Sequence, residues 1–231
     1  MWVKICANTN VEDALLAVEA GADAVGFVFA PSKRQVTAEQ VSEITRRLPA
    51  EVEKVGIFAT DDPLEIEHKV ACSGLTAAQL HGAFDAEMVR TLAAEFGGEL
   101  KIIQTVAYTL DPEDGEARDA AFVRALRAAF AEPAVWAVLV DAAKSGASGG
   151  LGVAFDWEHV GALVRGAVPI GSRVILAGGL RPDTVAEAID EFGPWGVDVA
   201  SGVEASYGKK DAARVRDFIA TAKSRHIGLR G

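Results

Sequence analysis

The chain alternates between short apolar runs and longer amphipathic segments. Eight runs rich in Val, Ile, Leu and Phe predict β-strands at residues 2–6, 24–29, 52–58, 75–81, 100–106, 135–140, 172–177 and 196–201. Each is followed by a segment of helical periodicity, at 11–20, 38–48, 63–72, 84–96, 115–130, 157–165, 182–192 and 211–223. These β-then-α units predict one α/β domain over residues 1–231, a single closed (β/α)8 TIM barrel. A doubly wound open sheet is the alternative arrangement.

Polar residues near several strand ends fall on one face, because neighbouring residues of a strand point to opposite faces. The pairs that share a face are Lys4 with Cys6, Gln79 with His81, Leu139 with Asp141, and Asp198 with Ala200. Active sites of (β/α)8 barrels lie at the carboxyl ends of the strands. We therefore expect these side chains to converge on one cavity at that end of the barrel.

Two pairs of small residues follow the last two predicted strands. Gly178 and Gly179 follow the seventh strand, and Ser201 and Gly202 follow the eighth. In barrels of this kind the backbone N–H groups of these two loops often hold a phosphate, so the pattern favours a small phosphorylated substrate. The alternative for the glycine pair is a tight turn without a ligand.

A glycine-rich stretch follows Asp141. Its glycines stand at positions 146, 149, 150 and 152, and Gly150 is a candidate substrate-binding residue. Glycine permits positive φ and a close approach of the backbone to a ligand, so the stretch predicts a loop that closes over the substrate. An ordinary flexible connection is the alternative.

The charge balance and the two cysteines limit the possible partners. Lys and Arg total 23 and Asp and Glu total 33, for a net charge of −10, which argues against nucleic acid or an anionic membrane as a partner. Cys6 and Cys72 have neither disulfide nor metal-site spacing, and Cys72 is expected in the core. We expect no signal peptide and no membrane span, and hence a cytoplasmic location.

Seven blocks of sequence, in order along nearly the whole chain, match one enzyme family. They are VKIC (3–6), GFVF (26–29) with Arg34, QLHG (79–82), LVD (139–141), GGLG (149–152) with FDW (155–157), LAGGL (176–180) and VDVASGVE (197–204). With these blocks the chain resembles the phosphoribosylanthranilate isomerases of tryptophan biosynthesis. That family usually has glycine after the first-strand cysteine, where this chain has Ala7.

The resemblance implies an Amadori rearrangement of N-(5-phosphoribosyl)anthranilate to 1-(2-carboxyphenylamino)-1-deoxyribulose 5-phosphate, with no cofactor or metal. It assigns Cys6 as the base that removes the proton from sugar C2, and Asp141 as the acid that protonates the departing ring oxygen. Arg34 resembles the ligand of the anthranilate carboxylate. Asp198 has three possible roles: holding a ribose hydroxyl, tuning Asp141, or pairing with Lys4. The expected assembly is a monomer or a homodimer.

Two other functions remain open at the level of sequence. One is another phosphosugar barrel enzyme, such as an indole-glycerol-phosphate synthase or a ribulose-phosphate epimerase, although the chain shows no strand-end lysine acid or metal site typical of these. The other is a barrel that binds a phosphorylated metabolite without converting it.

Overall fold

A computed structural model describes residues 1–108, 115–141 and 156–225 of the chain. Eight parallel strands form its closed barrel: β1 Trp2–Ile5, β2 Ala24–Val28, β3 Glu53–Phe58, β4 Ala77–Leu80, β5 Lys101–Ala107, β6 Val135–Asp141, β7 Val174–Ala177 and β8 Gly196–Val199. The helices are α1 Val11–Glu19, α2 Ala38–Thr45, α3 Pro63–Ser73, α4 Ala86–Glu95, α5 Gly115–Phe130, α6 Trp157–Ala167, α7 Val185–Phe192 and α8 Ala212–Ser224. A 3-10 turn at Ser201–Val203 and a two-stranded hairpin, β9 Glu204–Ser206 with β10 Lys209–Lys210, separate β8 from α8.

Pairing of the first strand with the last closes the sheet. β1 lies parallel to β8, with Lys4 opposite Asp198 in the register. An open sheet would leave both strands with a free edge, so the closed barrel predicted from the sequence is confirmed. The same register places the carboxyl ends of β1 and β8 side by side.

Side chains near the helix N-termini fix where several helices begin. Thr37 and Gln40 form a reciprocal capping box at α2. Asp62 caps α3 directly before Pro63. Asp85 is the N-cap of α4, where its side chain accepts hydrogen bonds from the backbone N–H groups of Glu87 and Met88. These caps set the turns that lead from the rim of the barrel into the helices.

The strands separate two apolar layers. Inside the barrel pack Ala24, Val55, Ala77, Ile103, Ala137, Leu139, Ile175 and Ala177, with Trp2, Trp136 and Trp195 against them at the amino-terminal end. The outward-facing residues, among them Val3, Ile5, Leu80, Val140, Val197 and Val199, join the larger core with the helices. This division is the one that strand alternation predicts, and it leaves the inward polar positions for the carboxyl end.

The expectation that Cys72 lies in the core is wrong. Its side chain is exposed on α3, with Sγ 3.8 Å from Nδ1 of His68. The buried stripe of α3 contains Ile66, Val70 and Ser73, and Cys72 lies off that stripe by the helical period.

Within the three described ranges, no helix combines the length and the apolar character needed to cross a bilayer.

Candidate active site

The polar residues predicted to converge do so at the carboxyl end of the barrel. Cys6 follows β1 directly and is 7% exposed, packed with Ala7 and Ile57. Lys4 and Asp198 are buried beneath it, on the neighbouring strands β1 and β8. The thiol therefore lies above a buried ion pair at the rim of the barrel.

Lys4 is the centre of a buried network. Its Nζ donates to Oε1 of Gln79 at 2.6 Å and lies 3.1 Å from Oδ2 of Asp198. Burial by itself lowers the pKa of Lys4, but Asp198 and Cys6 outweigh burial and raise that pKa above its ordinary value. Lys4 is thus held as a cation. Gln79 in turn donates from Nε2 to the hydroxyl oxygen of Thr105 at 3.2 Å.

Asp198 keeps one buried oxygen for another donor. Its Oδ1 has no hydrogen-bond partner among the described residues, whereas Oδ2 faces Lys4. Burial raises the pKa of Asp198, Lys4 opposes that increase in part, and the charge of Asp141 adds to it. The predicted ion pair with Lys4 is therefore present, and it leaves an acceptor suited to a hydroxyl group.

Opposing effects act on the Cys6 thiol. Burial raises the pKa of Cys6, Lys4 and Lys210 lower it, and Asp198 raises it further, so that it lies above its ordinary value. Strand alternation places Lys4 on the same face as Cys6, but the larger effect of burial on the pKa of the thiol is not visible in the sequence.

Asp141 ends β6, three strands around the barrel from β1. Its carboxylate is 26% exposed and its Oδ2 lies 3.8 Å from Nε2 of His81. This contact raises the pKa of His81, although burial of the imidazole opposes the increase. Strand alternation places His81 on the same face as Gln79, and in the structure its imidazole lies beside Asp141.

Arg34 is held by a residue to which the sequence analysis gives no role. Its Nε and Nη2 donate to the two carboxylate oxygens of Glu204, each at 2.7 Å. The guanidinium also lies over the Tyr207 ring, 4.8 Å from its centroid. Within the described part of the chain no hydrogen bond from Nη1 is present, so this edge of the group can bind an anion.

Glu204 and Lys210 were missed for different reasons. Glu204 closes the VDVASGVE block, but nothing in the sequence pairs it with an arginine 170 positions away. Lys210 lies on a strand of two residues that has no readable alternation. Its Nζ is 3.5 Å from Oε1 of Glu204.

The two predicted phosphate loops lie at the ends of neighbouring strands. Gly178 and Gly179 have φ of 97° and 68°, a left-handed backbone that favours glycine. A Cβ at Gly202 would lie 1.9 Å from the carbonyl oxygen of Leu180, so the two loops touch through their backbones. Ser201 opens the 3-10 turn, where the first N–H groups lack partners within the turn.

Three further points concern the residues singled out in the sequence. The glycine-rich stretch and its candidate Gly150 lie outside the described residues. Ala7 adopts the left-handed backbone that the family glycine suggests, with φ of 61°. In the described ranges, no group of three or more His, Cys, Asp and Glu residues is arranged to hold a metal ion.

Comparisons with known proteins agree on one family. The family described as N-(5'-phosphoribosyl)anthranilate (PRA) isomerase matches residues 3–221. N-(5'-phosphoribosyl)anthranilate isomerase of Pelobacter propionicus is 40% identical over 222 residues, 96% of this chain and 95% of that protein. The enzyme of the same name from Desulforudis audaxviator is 41% identical over 221 residues, with 96% and 97% covered.

Solved structures give the same result. The crystal structure of phosphoribosyl anthranilate isomerase from Thermotoga maritima has a TM-score of 0.80 and 37% identity, covering 97% of this chain and 100% of that one. A phosphoribosyl anthranilate isomerase in complex with reduced 1-(o-carboxyphenylamino)-1-deoxyribulose 5-phosphate has a TM-score of 0.77 and 34% identity, with 97% and 100% covered.

Proposed function

The chain belongs to the N-(5'-phosphoribosyl)anthranilate isomerase family, and we propose that Cys6 and Asp141 are the base and the acid with which it isomerises this substrate in tryptophan biosynthesis. The observation that carries the assignment is their position. Both side chains lie at carboxyl ends of strands, on different sides of the same barrel mouth. General acid–base catalysis requires two such groups on either side of the reacting atoms.

The chemistry begins with two proton transfers and ends with a tautomerisation, in which the enolamine loses its hydroxyl proton and gains a proton at C1. In the first, Asp141 delivers its proton to the ring oxygen as the C1–O bond of the furanose breaks, which leaves an open-chain iminium. In the second, the Cys6 thiolate removes the proton from sugar C2, and the electron pair of that C–H bond forms the enolamine. Tautomerisation of the enolamine gives the aminoketose. No electron leaves the substrate, so the step balances without an external oxidant or reductant.

Asp198 is suited to hold the sugar. Its Oδ1 is buried and has no donor among the described residues, while Lys4 fixes Oδ2 at 3.1 Å. A ribose hydroxyl donated to Oδ1 would give this oxygen its missing hydrogen bond. We propose that Asp198 binds a sugar hydroxyl in this way and that Lys4 keeps it in place.

The two anionic ends of the substrate fit two separate sites. Arg34 presents its remaining guanidinium edge to the anthranilate carboxylate, because Glu204 occupies the other edge. The phosphate is assigned to the backbone around Gly178, Gly179, Ser201 and Gly202. With both ends held, sugar C1 and C2 lie between Cys6 and Asp141. We also propose that Gly150 binds the substrate, as the sequence suggests.

The test is turnover of freshly prepared phosphoribosylanthranilate, followed by the loss of its fluorescence. We expect Cys6→Ala and Asp141→Asn each to lower kcat by at least about 100-fold with a smaller change in KM, because each removes a proton-transfer group used in the transition state. Cys72→Ser is the matched control: its thiol is exposed on α3, and kcat should stay within about twofold of the original. A near-normal kcat in either site variant would remove that residue from the mechanism.

The same assay separates the remaining functions. A noncatalytic binding barrel would give no turnover with folded, reduced protein. The 3-hexulose-6-phosphate synthase of Salmonella typhimurium has a TM-score of 0.62 at 15% identity, which reflects the shared fold alone. Another phosphosugar activity is therefore supported only by turnover of its own substrate.

Location and assembly remain proposals. A free thiol base requires a reducing compartment, which supports a cytoplasmic location. One Thermotoga maritima structure is described as that of generated monomers of the dimeric enzyme. For this chain we propose a monomer or a homodimer, which sedimentation of the purified protein distinguishes.

A further inference from the structure

A second buried ammonium lies beside Cys6, on the hairpin that the sequence analysis does not predict. Lys210 of β10 is 5% exposed, whereas its neighbour Lys209 is exposed. Burying a lysine is unfavourable unless its charge is paired and its protons are bonded. The mechanism above gives Lys210 no role, so its contacts require an explanation.

The contacts of Lys210 join the two strand ends that form the site. Its Nζ donates to the carbonyl oxygen of Cys6 at 2.6 Å and to that of Ala200 at 3.2 Å. The third direction faces Oε1 of Glu204 at 3.5 Å. An ammonium has three donors, and here all three have a partner. Lys210 therefore fixes the backbone that carries the proposed base against the end of β8.

The backbone at Cys6 needs such support. The next residue, Ala7, has φ of 61° and is buried, a left-handed conformation that is strained for a residue with a Cβ. The Cys6 amide donates to the carbonyl of Val199 at 2.8 Å, and Nδ2 of Asn8 donates to the carbonyl of Ile5 at 2.7 Å. The bond from Lys210 holds the Cys6 carbonyl itself.

Lys210 also acts on the thiol through its charge. The charged groups around Cys6 are Lys4 on β1, Asp198 on β8, Lys210 and Glu204 on the hairpin, and Arg34 in the loop after β2. Lys4 and Lys210 lower the pKa of Cys6, against burial and Asp198, which raise it. Burial lowers the pKa of Lys210, but Glu204 opposes this change.

We propose that Lys210 is a positioning residue for the Cys6 base: its ammonium fixes the Cys6 carbonyl and, as the second cation beside the sulfur, favours the thiolate. The proposal rests on the proposed function, in which Cys6 is the base. It assigns a role in the reaction to the hairpin, which also holds Arg34 through Glu204. Proton abstraction and carboxylate recognition then depend on one structural element.

The experiment uses Lys210→Met, which removes both the charge and the donors, and Lys210→Gln, which removes the charge and keeps a donor. Both are made in a Cys72→Ser background, so that Cys6 is the one cysteine left in the chain. Thiolate formation is followed by ultraviolet absorbance against pH, with the matching Cys6→Ser protein as the blank. Lys209→Met is the control, because it removes the adjacent, exposed charge.

In both Lys210 variants we expect the midpoint of thiolate formation to rise by about one pH unit, and kcat below that midpoint to fall roughly tenfold, in proportion to the thiolate fraction. KM should change much less than kcat. Lys209→Met should leave both the midpoint and kcat unchanged. If Lys210→Met does not fold, Lys210→Gln decides the question alone.

An unchanged midpoint in a folded Lys210 variant overturns the proposal, even if kcat falls, because the role would then be structural only. Failure of the proposed function is recognised separately. In that case Cys6→Ser itself turns over substrate at a near-normal rate, while the midpoint still reports the effect of Lys210 on the thiol.

Discussion

A methyl group added at Gly26 would press directly on the proposed base. Gly26 lies on β2, and a Cβ built there would be 2.8 Å from Sγ of Cys6, 3.1 Å from its Cα and 3.2 Å from Cδ1 of Ile57. Two of these three atoms belong to Cys6, and one of the two is backbone. Gly26→Ala therefore displaces the thiol instead of a flexible neighbour.

The displacement sets the expected magnitude. Unstrained contacts between such atoms are about 3.5–4 Å long, so the sulfur must move by roughly 1 Å. A misplacement of about 1 Å in a reacting group costs on the order of 100-fold in rate. Overpacking lowers the free energy of unfolding by about 1–3 kcal/mol. Replacing glycine by alanine also makes the unfolded chain less flexible, which raises the free energy of unfolding by about 0.5–1 kcal/mol. The protein should therefore stay folded while kcat falls by about 30- to 100-fold.

Gly56→Ala is the matched control on the next strand. A Cβ at Gly56 would lie 2.6 Å from Cδ1 of Leu75 and 2.7 Å from Cε2 of Phe58, which belong to the outer core between strands and helices, a cluster that does not include Cys6. We expect it to lower the melting temperature at least as much as Gly26→Ala does, with kcat within about threefold of the original.

Steady-state kinetics and thermal melts of both variants decide the matter. Equal losses of kcat in the two variants would mean that overpacking acts through general stability. In that case the position of Cys6 does not limit the rate.

Two further predictions concern Arg34 and His81. Arg34→Ala should weaken substrate binding by about 2–4 kcal/mol, or roughly 30- to 1000-fold, and Arg34→Lys should recover little because lysine lacks the bidentate geometry. Calorimetric titration with a carboxylate-bearing product analogue measures this affinity. An unchanged affinity contradicts the assignment. Asp141 raises the pKa of His81 in the folded protein. Protonated His81 therefore stabilises the fold fully at pH values below the pKa of histidine in the unfolded chain, about 6.5. This stabilisation disappears as the pH rises through the higher pKa of His81 in the folded protein. The melting temperature of the protein minus that of His81→Gln should therefore be larger near about pH 6 than near about pH 8.5, and a pH-independent difference would exclude the ion pair.

The barrel was predictable because its signal is repeated and local. Each strand is a short apolar run, and caps such as Thr37 with Gln40 and Asp62 before Pro63 mark helix starts within four residues. Strand alternation also placed Lys4 and Asp198 correctly, since it depends only on the period of a strand. These features need no knowledge of distant parts of the chain.

The missed features depend on long-range contacts or on elements too short to show a period. Glu204 reaches Arg34 across 170 residues, and the strands of the hairpin that carries Lys210 have three and two residues. The balance of burial against charge at Cys6 depends on Lys210 as well as Lys4. No sequence pattern gives the size of the effect of burial or of charge on the pKa of Cys6.

The arrangement of charge explains how an acidic protein can bind a substrate with a carboxylate and a phosphate. The net charge of −10 opposes long-range attraction of such an anion, so attraction must arise from local donors. Arg34 is one such donor, but one edge of its guanidinium is already bound to the Glu204 carboxylate. The Lys4 ammonium is likewise paired with Asp198. Such ion pairs weaken binding of the substrate only a little when the free edge of a guanidinium, or a backbone N–H group, still points at the ligand. These donors are fixed in position before the substrate binds. Specificity at this site then depends on donor geometry more than on net positive charge.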